Sequence, residues 1–326
     1  MKVVTQAVAG ALSPREKLIL LSGVILAVLA AVGFITARIY RQGTWIPVAG
    51  GSYSEGFVGQ PIDSNPVTAK NSPDRAMSAL LYSSLMDIAE TVETKDYKNF
   101  QIKLKDDLEW ADGEPITADD VIFTLESIKN PAAGSPLFNA WEEVEVERVS
   151  ALHISINLPE PYAWFTEILK RTRPIPAHVY NSVAPENFHL SAYRLEPIGS
   201  GPYQVSEVRQ LLSGFVREIK LVPNNKYAGV EPLIPDFRLR FYTDQEKLNN
   251  ALKRREVLGF LNLEPIQNLE TSRGLKISHI PSSRTATILL NGVNNPKLNN
   301  SSIRKALSAG SNRANLKEIF GEDIEL

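Results

Sequence analysis

The chain of 326 residues contains no cysteine. That absence excludes a disulfide scaffold, thiolate metal sites, a cysteine nucleophile and a lipidated cysteine anchor. Histidine is also scarce: His153, His178, His189 and His279 are the whole complement, and their spacing matches no HExxH-type pattern, so neither a metal centre nor a metal cofactor is expected. An excess of basic residues is missing too. With 35 Lys+Arg against 37 Asp+Glu, there is no stripe to neutralise phosphates, and nucleic acid is not an expected partner. Serine pairs such as Ser282-Ser283 and Ser301-Ser302 lack a G-x-S-x-G context. No nucleophile and base can be paired, so the chain does not read as an enzyme.

What is present is uneven along the chain. Leu18 to Ala37 is a run of 20 residues without a charge, and as a helix it would span about 30 Å, the thickness of a hydrocarbon core. Lys2, Arg15 and Lys17 precede it and Arg38 and Arg41 follow. Two readings stay open: an uncleaved single-pass membrane anchor with a short cytoplasmic tail over 1–17, or a secretory signal cut after a small residue such as Ala30. Either places the remainder outside the cytoplasm. With five basic residues and one acid in the first 41, the remainder holds 30 basic against 36 acidic residues. That balance gives it no electrostatic reason to lie on anionic lipid.

After a tether over 38–49, containing Gly43 to Gly51 (GTWIPVAGG), folding is expected to begin near Gly50. Alternation of Phe100, Ile102 and Leu104 predicts a strand over Phe100 to Lys105. Trp110-Ala-Asp-Gly113 follows; Trp110 is expected to pack under the turn that Asp112 and Gly113 shape. Thr117 and Asp120 have capping-box spacing, ahead of a helix through VIFTLESIK that Pro131 stops. Asp119 and Asp120 therefore read as helix-start acids that favour the dipole, not as a catalytic pair. Further strands are predicted at Leu152 to Leu158, Gly201 to Val208, Gly214 to Val222 and Phe237 to Tyr242. Helices are predicted at Ser72 to Asp87, Tyr162 to Lys170, Asp244 to Arg254 and Ser301 to Ile319. The expected class is mixed α/β.

The stretch FQIKLKDDLEWADGEPITADDVIFTLESIKNP, Phe100 to Pro131, closely resembles the family 5 extracellular solute-binding proteins, the peptide and nickel receptors of ABC importers. The likeness continues through Gly50 to Pro66, Ala79 to Leu85, Pro197-Ile-Gly-Ser-Gly-Pro-Tyr203, Leu221 to Tyr227, and Leu290-Asn291 through Ile303 to Leu307. Arg255 to Phe260 and Ala309 to Arg313 depart from the family pattern. The resemblance implies a type II periplasmic-binding-protein fold: lobe I over 50–285, then a crossover and the opening of a truncated lobe II over 286–326. It further implies capture of an oligopeptide or related small solute for an ABC permease, with the solute class set largely by the second lobe. By register it places solute contacts at Lys70, Asn71 and Ser72, at Phe138, Asn139 and Trp141, and at Thr287. A lysine at position 70 would favour an anionic or neutral group, where many peptide receptors carry a carboxylate. Core packing is the competing reading for Trp141, and simple solvation for Lys70. The alternative function is a one-lobed ectodomain serving as a sensor or scaffold without transport.

Overall fold

The computed structural model describes residues 13–42, 46–260 and 290–310. By contact the chain divides into two units, Met1–Val48 and Ala49–Leu326. In the first, helix α1 (Pro14–Gln42) contains the charge-free run, and no side chain described in it, 14–41, is buried. It is long and apolar enough to cross a membrane.

The second unit begins with β1 (Ser52–Val58) and continues through α2 (Ser72–Leu81), α3 (Leu85–Ile88), β2 (Ala89–Thr94), β3 (Asn99–Leu104), α4 (Ala118–Lys129), α5 (Phe138–Trp141), β4 (Glu145–Ser150) and β5 (His153–Asn157). Next come α6 (Phe165–Arg171), α7 (Ala177–Tyr180), β6 (Tyr203–Gln210), β7 (Val216–Pro223), β8 (Asp236–Tyr242), α8 (Gln245–Lys253), β9 (Gly259–Phe260) and α9 (Ser301–Gly310). One sheet has the order β2-β3-β5-β4 and is antiparallel throughout. The other, β6-β7-β8-β1-β9, is antiparallel at β6-β7-β8 and parallel where β1 meets β8 and β9.

Alternation in β3 buries Phe100, Ile102 and Leu104 on one face, as its sequence pattern predicts. They share one core with Ile154 and Ile156 of β5 and with Phe57, Ile219, Leu239 and Phe241 of the other sheet. The opposite face of β1 carries Gly56, and a Cβ there would stand 2.3 Å from Leu248 Cδ1. Its absence lets α8 lie directly on the strand, burying Leu248, Ala251, Leu252 and Val257 as a second small cluster.

Several boundaries differ from expectation. The helix predicted over Ser72 to Asp87 is two helices: α2 stops at Leu81, Tyr82 is extended (φ −130°, ψ 135°), and a capping box between Ser84 and Asp87 restarts the chain as α3. Segment 197–202 causes the break by crossing here: Gly201 N–H donates to Leu81 O (2.9 Å), and Ser83 Oγ donates to Ser200 O (2.7 Å). α6 begins at Phe165, three residues beyond its predicted start at Tyr162. Strands β2 (AETVET) and β4 (EVERVS) were not predicted, because as edge strands with mostly exposed, charged side chains they lack the apolar alternation of β3. The helix predicted from Ser301 is described as far as Gly310.

The capping box of α4 forms as its spacing predicts. Thr117 Oγ1 accepts from Asp119 N–H at 3.3 Å and Thr117 N–H donates to Asp120 Oδ2 at 2.9 Å. Asp120 is buried and also accepts from Ala177 N–H at 2.8 Å, which ties α7 to α4. Thr117→Ala should therefore cost about 1 kcal/mol. Asp120→Ala strands two backbone donors and should cost about 3 kcal/mol. Urea denaturation of the two variants checks the order; equal losses would refute the second tie.

Candidate functional site

In open sheets with parallel strands, ligands sit beyond the carboxyl ends of those strands. Here that edge is formed by Val58 of β1 and Tyr242 of β8, joined by a bond from Gly59 N–H to Tyr242 O (2.8 Å). The β6–β7 turn arrives at the same edge, where Val216 N–H donates to Gln60 Oε1 at 3.1 Å. Val58, Ile62, Tyr193, Leu211 and Leu212 are exposed along it and on the turns that reach it. This is a partly apolar rim with a few polar groups, the composition of a solute cleft wall. A small cavity elsewhere, between Ser83, Asp87, Ser200, Lys226 and Tyr227, has a volume of about 20 Å³. It holds room for a water rather than a solute.

The loop leaving β1 is fixed by its own polar side chains. Asp63 Oδ1 accepts from Asn65 N–H (2.9 Å), and Thr68 Oγ1 donates to Asp63 Oδ2 (2.5 Å). Asp74 Oδ1 reaches back from α2 to accept from Ile62 N–H (2.7 Å) and Asp63 N–H (3.2 Å). Burial pushes the Asp74 carboxyl up to about 6 and raises Asp63 as well. The loop ends at Lys70, Asn71 and Ser72. Asn71 caps α2 by accepting from Asp74 N–H (2.7 Å), and Ser72 is half-buried in the first turn. Lys70 is exposed, and its ammonium has no ion-pair or hydrogen-bond partner among the described residues. It lies against the 131–138 loop, with Nζ 2.9 Å from where a Cβ on Gly134 would stand.

That loop leads into α5, where Phe138 is half-buried and Asn139 exposed. The structure thus brings Lys70 to the loop that carries Phe138 and Asn139. Trp141 is different. It is completely buried, edge-on to Phe165 at 5.2 Å, with its indole N–H donating to Thr172 Oγ1 at 3.1 Å. Its place in the core corrects its inclusion among the solute contacts: no face of the ring is open to a solute. Thr287 lies outside the described residues, as does His279.

Trp110 is also fully buried, and Gly113 takes φ +93° in the turn beside it. Asp112 accepts from Glu114 N–H (3.2 Å) and pairs with His178 Nε2 (2.9 Å) on α7, a tie with no sequence signal. Among the described residues no three His, Asp or Glu side chains gather where they would hold a metal ion. Gln60, Ile62, Tyr193 and Leu212 were absent from the sequence-based set, because the rim depends on β1 and β8 being parallel neighbours. The available signal was the turn-rich Gly59-Gln60-Pro61 directly after a strand.

The model of the bacterial extracellular solute-binding proteins, family 5 Middle, matches residues 85–323. The peptidoglycan-binding protein YepA of Agrobacterium fabrum is 33% identical over 185 residues, which is 49% of this chain and 29% of that protein. The oligopeptide-binding protein AppA of Bacillus subtilis is 23% identical over 256 residues, covering 72% and 46% respectively. Among solved structures, the ABC transporter substrate-binding protein CtaP of Listeria monocytogenes superposes with a TM-score of 0.55 at 30% identity, covering 64% of this chain and 44% of that one. The chain spans less than half the length of each of these proteins. Its motifs, its two sheets and the family match agree: the chain belongs to the family 5 extracellular solute-binding proteins.

Proposed function

We infer that the chain supplies lobe I of a membrane-tethered, extracytoplasmic receptor that captures a peptide or related small solute and delivers it to an ABC permease. The observation that carries this reading is the family match through residues 85–323. An oligopeptide-binding relative and an ABC substrate-binding neighbour support the solute class and the permease partner. Helix α1 supports the tether, since its apolar run exceeds the core of an ordinary signal peptide. We assign lobe I to 50–285 and the crossover with the start of lobe II to 286–326. In this reading the solute lies along the rim of Val58, Gln60 and Ile62, with Lys70, Asn71, Ser72, Phe138 and Asn139 at its flank and Thr287 as a further contact.

The unpaired Lys70 ammonium suits a carboxylate. The full chain in lipid nanodiscs, titrated with mixed-sequence pentapeptides, should show a peptide-dependent rise in melting temperature. Lys70→Glu should weaken binding of peptides with a free C-terminal carboxylate by about fivefold, the worth of an exposed ion pair. C-terminally amidated peptides should lose little. A melting temperature indifferent to every peptide at millimolar concentration would remove the capture reading and leave the scaffold alternative.

A further inference from the structure

We propose that the carboxylates of Asp63 and Asp74 form a proton-linked latch that fastens the loop between β1 and α2. Both side chains are buried, at 2% and 3% exposure, and the loop they hold runs from the strand-end rim to Lys70. Among the described residues, no cation lies within ion-pair distance of either carboxylate. The charged and titratable groups facing them are few. Arg75 on α2 acts on Asp74, and His189 and Arg194 from the segment after α7 act on Asp63. The phenols of Tyr82 and Tyr180 face Asp63, and Tyr193 stands behind Tyr180. Two like charges are thus held together in a site that no close counter-ion neutralises.

Hydrogen-bond geometry decides which of the two takes the proton. Asp63 uses both oxygens, one on Asn65 N–H and the other on Thr68 Oγ1. Protonating it at Oδ2 would require the Thr68 hydroxyl to reverse from donor to acceptor. Asp74 accepts from Ile62 and Asp63 N–H through Oδ1 alone, and Oδ2 has no hydrogen-bond partner among the described residues. A proton on Asp74 Oδ2 therefore leaves both fastening bonds in place and removes the repulsion with Asp63. The proton thus resides on Asp74, whose carboxyl burial raises to about 6. The two amide bonds and Arg75 favour the ionised form, but burial outweighs them, so the loop is held most firmly when that proton is bound.

The direction of the pH effect follows. Folded protein retains the Asp74 proton up to about pH 6, whereas an unfolded chain releases it near 3.8. Between those values the folded state binds more protons, so stability falls as pH rises, by up to roughly a hundredfold in the folding constant. This runs opposite to the usual salt-bridged aspartate. Asparagine at this position reproduces the protonated form, because its Oδ1 can accept both amides without charge.

The test is hydrogen exchange and thermal unfolding of the full chain in nanodiscs at pH 5.0 and 7.5. For the unsubstituted protein, residues 60–65 should be more protected at pH 5.0, after correction for intrinsic exchange, and the melting temperature should be higher. Asp74→Asn should raise the melting temperature at pH 7.5 and remove most of the difference between the two pH values. Asp63→Asn should disturb the loop at both. Protection of 60–65 that does not change with pH would overturn the latch without any variant having to fold. So would an Asp74→Asn protein whose pH profile parallels that of the parent.

Discussion

Gly199→Ala and Gly201→Ala should each abolish cooperative folding or lower stability by at least about 3 kcal/mol. A Cβ on Gly199 would stand 1.9 Å from Leu81 O, and one on Gly201 would stand 2.6 Å from both Leu81 C and Tyr82 N. The atoms struck are backbone, so no rotamer change relieves the clash, and the cost belongs at the upper end of overpacking. The crossing is also a dense knot of bonds. Gly201 N–H reaches Leu81 O, Ala111 N–H reaches Gly199 O (2.9 Å), and Ser83 N–H reaches Ser200 Oγ (3.1 Å). Moving the 197–202 segment to admit a methyl would strain these bonds. Against a total stability of about 5–15 kcal/mol, such a loss is visible as a collapsed melting transition. Gly214→Ala is the control: it has φ +82° but nothing within 4 Å, so only the left-handed backbone penalty of about 1 kcal/mol applies. If Gly201→Ala melts within 3 °C of the parent, the close approach is not what that glycine is for.

The same crossing shows where the sequence was readable and where it was not. The capping box at Thr117 and Asp120, the turn at Gly113 and the alternation of β3 are local patterns, each written within a few consecutive residues, and all appear in the structure. The Pro197 to Tyr203 motif was readable as a family signature, yet its physical reason, the backbone of Leu81 lying against it, connects residues more than a hundred positions apart. Edge strands β2 and β4 were invisible for a different reason: each pairs with the next strand in the chain, but their exposed faces carry the same charges as a loop. The candidate site divides in the same way. Lys70 and Asn71 follow a recognisable loop, whereas the rim at Val58, Gln60 and Ile62 depends on the pairing of β1 with β8, whose residues lie about 180 positions away. His178 beneath Asp112 is the clearest case of a tertiary contact with no local signal.

Trp141 separates packing from recognition in a single pair of measurements. Register placed it with Phe138 and Asn139 as a wall for the solute, but three positions along one short helix need not share a face. Asn139 points outward and Trp141 inward. The indole fills the space beside Phe165, which in turn meets Phe100 of β3 at 5.2 Å, so the ring stands at the centre of the antiparallel half. Its N–H satisfies Thr172 Oγ1, whose own hydroxyl donates to Ile168 O at 2.9 Å and closes the end of α6. Trp141→Ala should therefore cost about 4 kcal/mol, the sum of a lost transfer term and a cavity that this rigid surround cannot fill. Trp141→Phe keeps much of the volume but leaves Thr172 without its donor and should cost about half as much. Asn139→Ala should leave stability unchanged within about 0.5 kcal/mol, as expected for an exposed side chain. Urea denaturation gives the three values, and peptide titration of the same proteins gives the other axis. A Trp141→Phe variant of parental stability that loses peptide affinity would return the indole to the cleft. The packing predicts the reverse: a less stable protein whose folded fraction binds as the parent does.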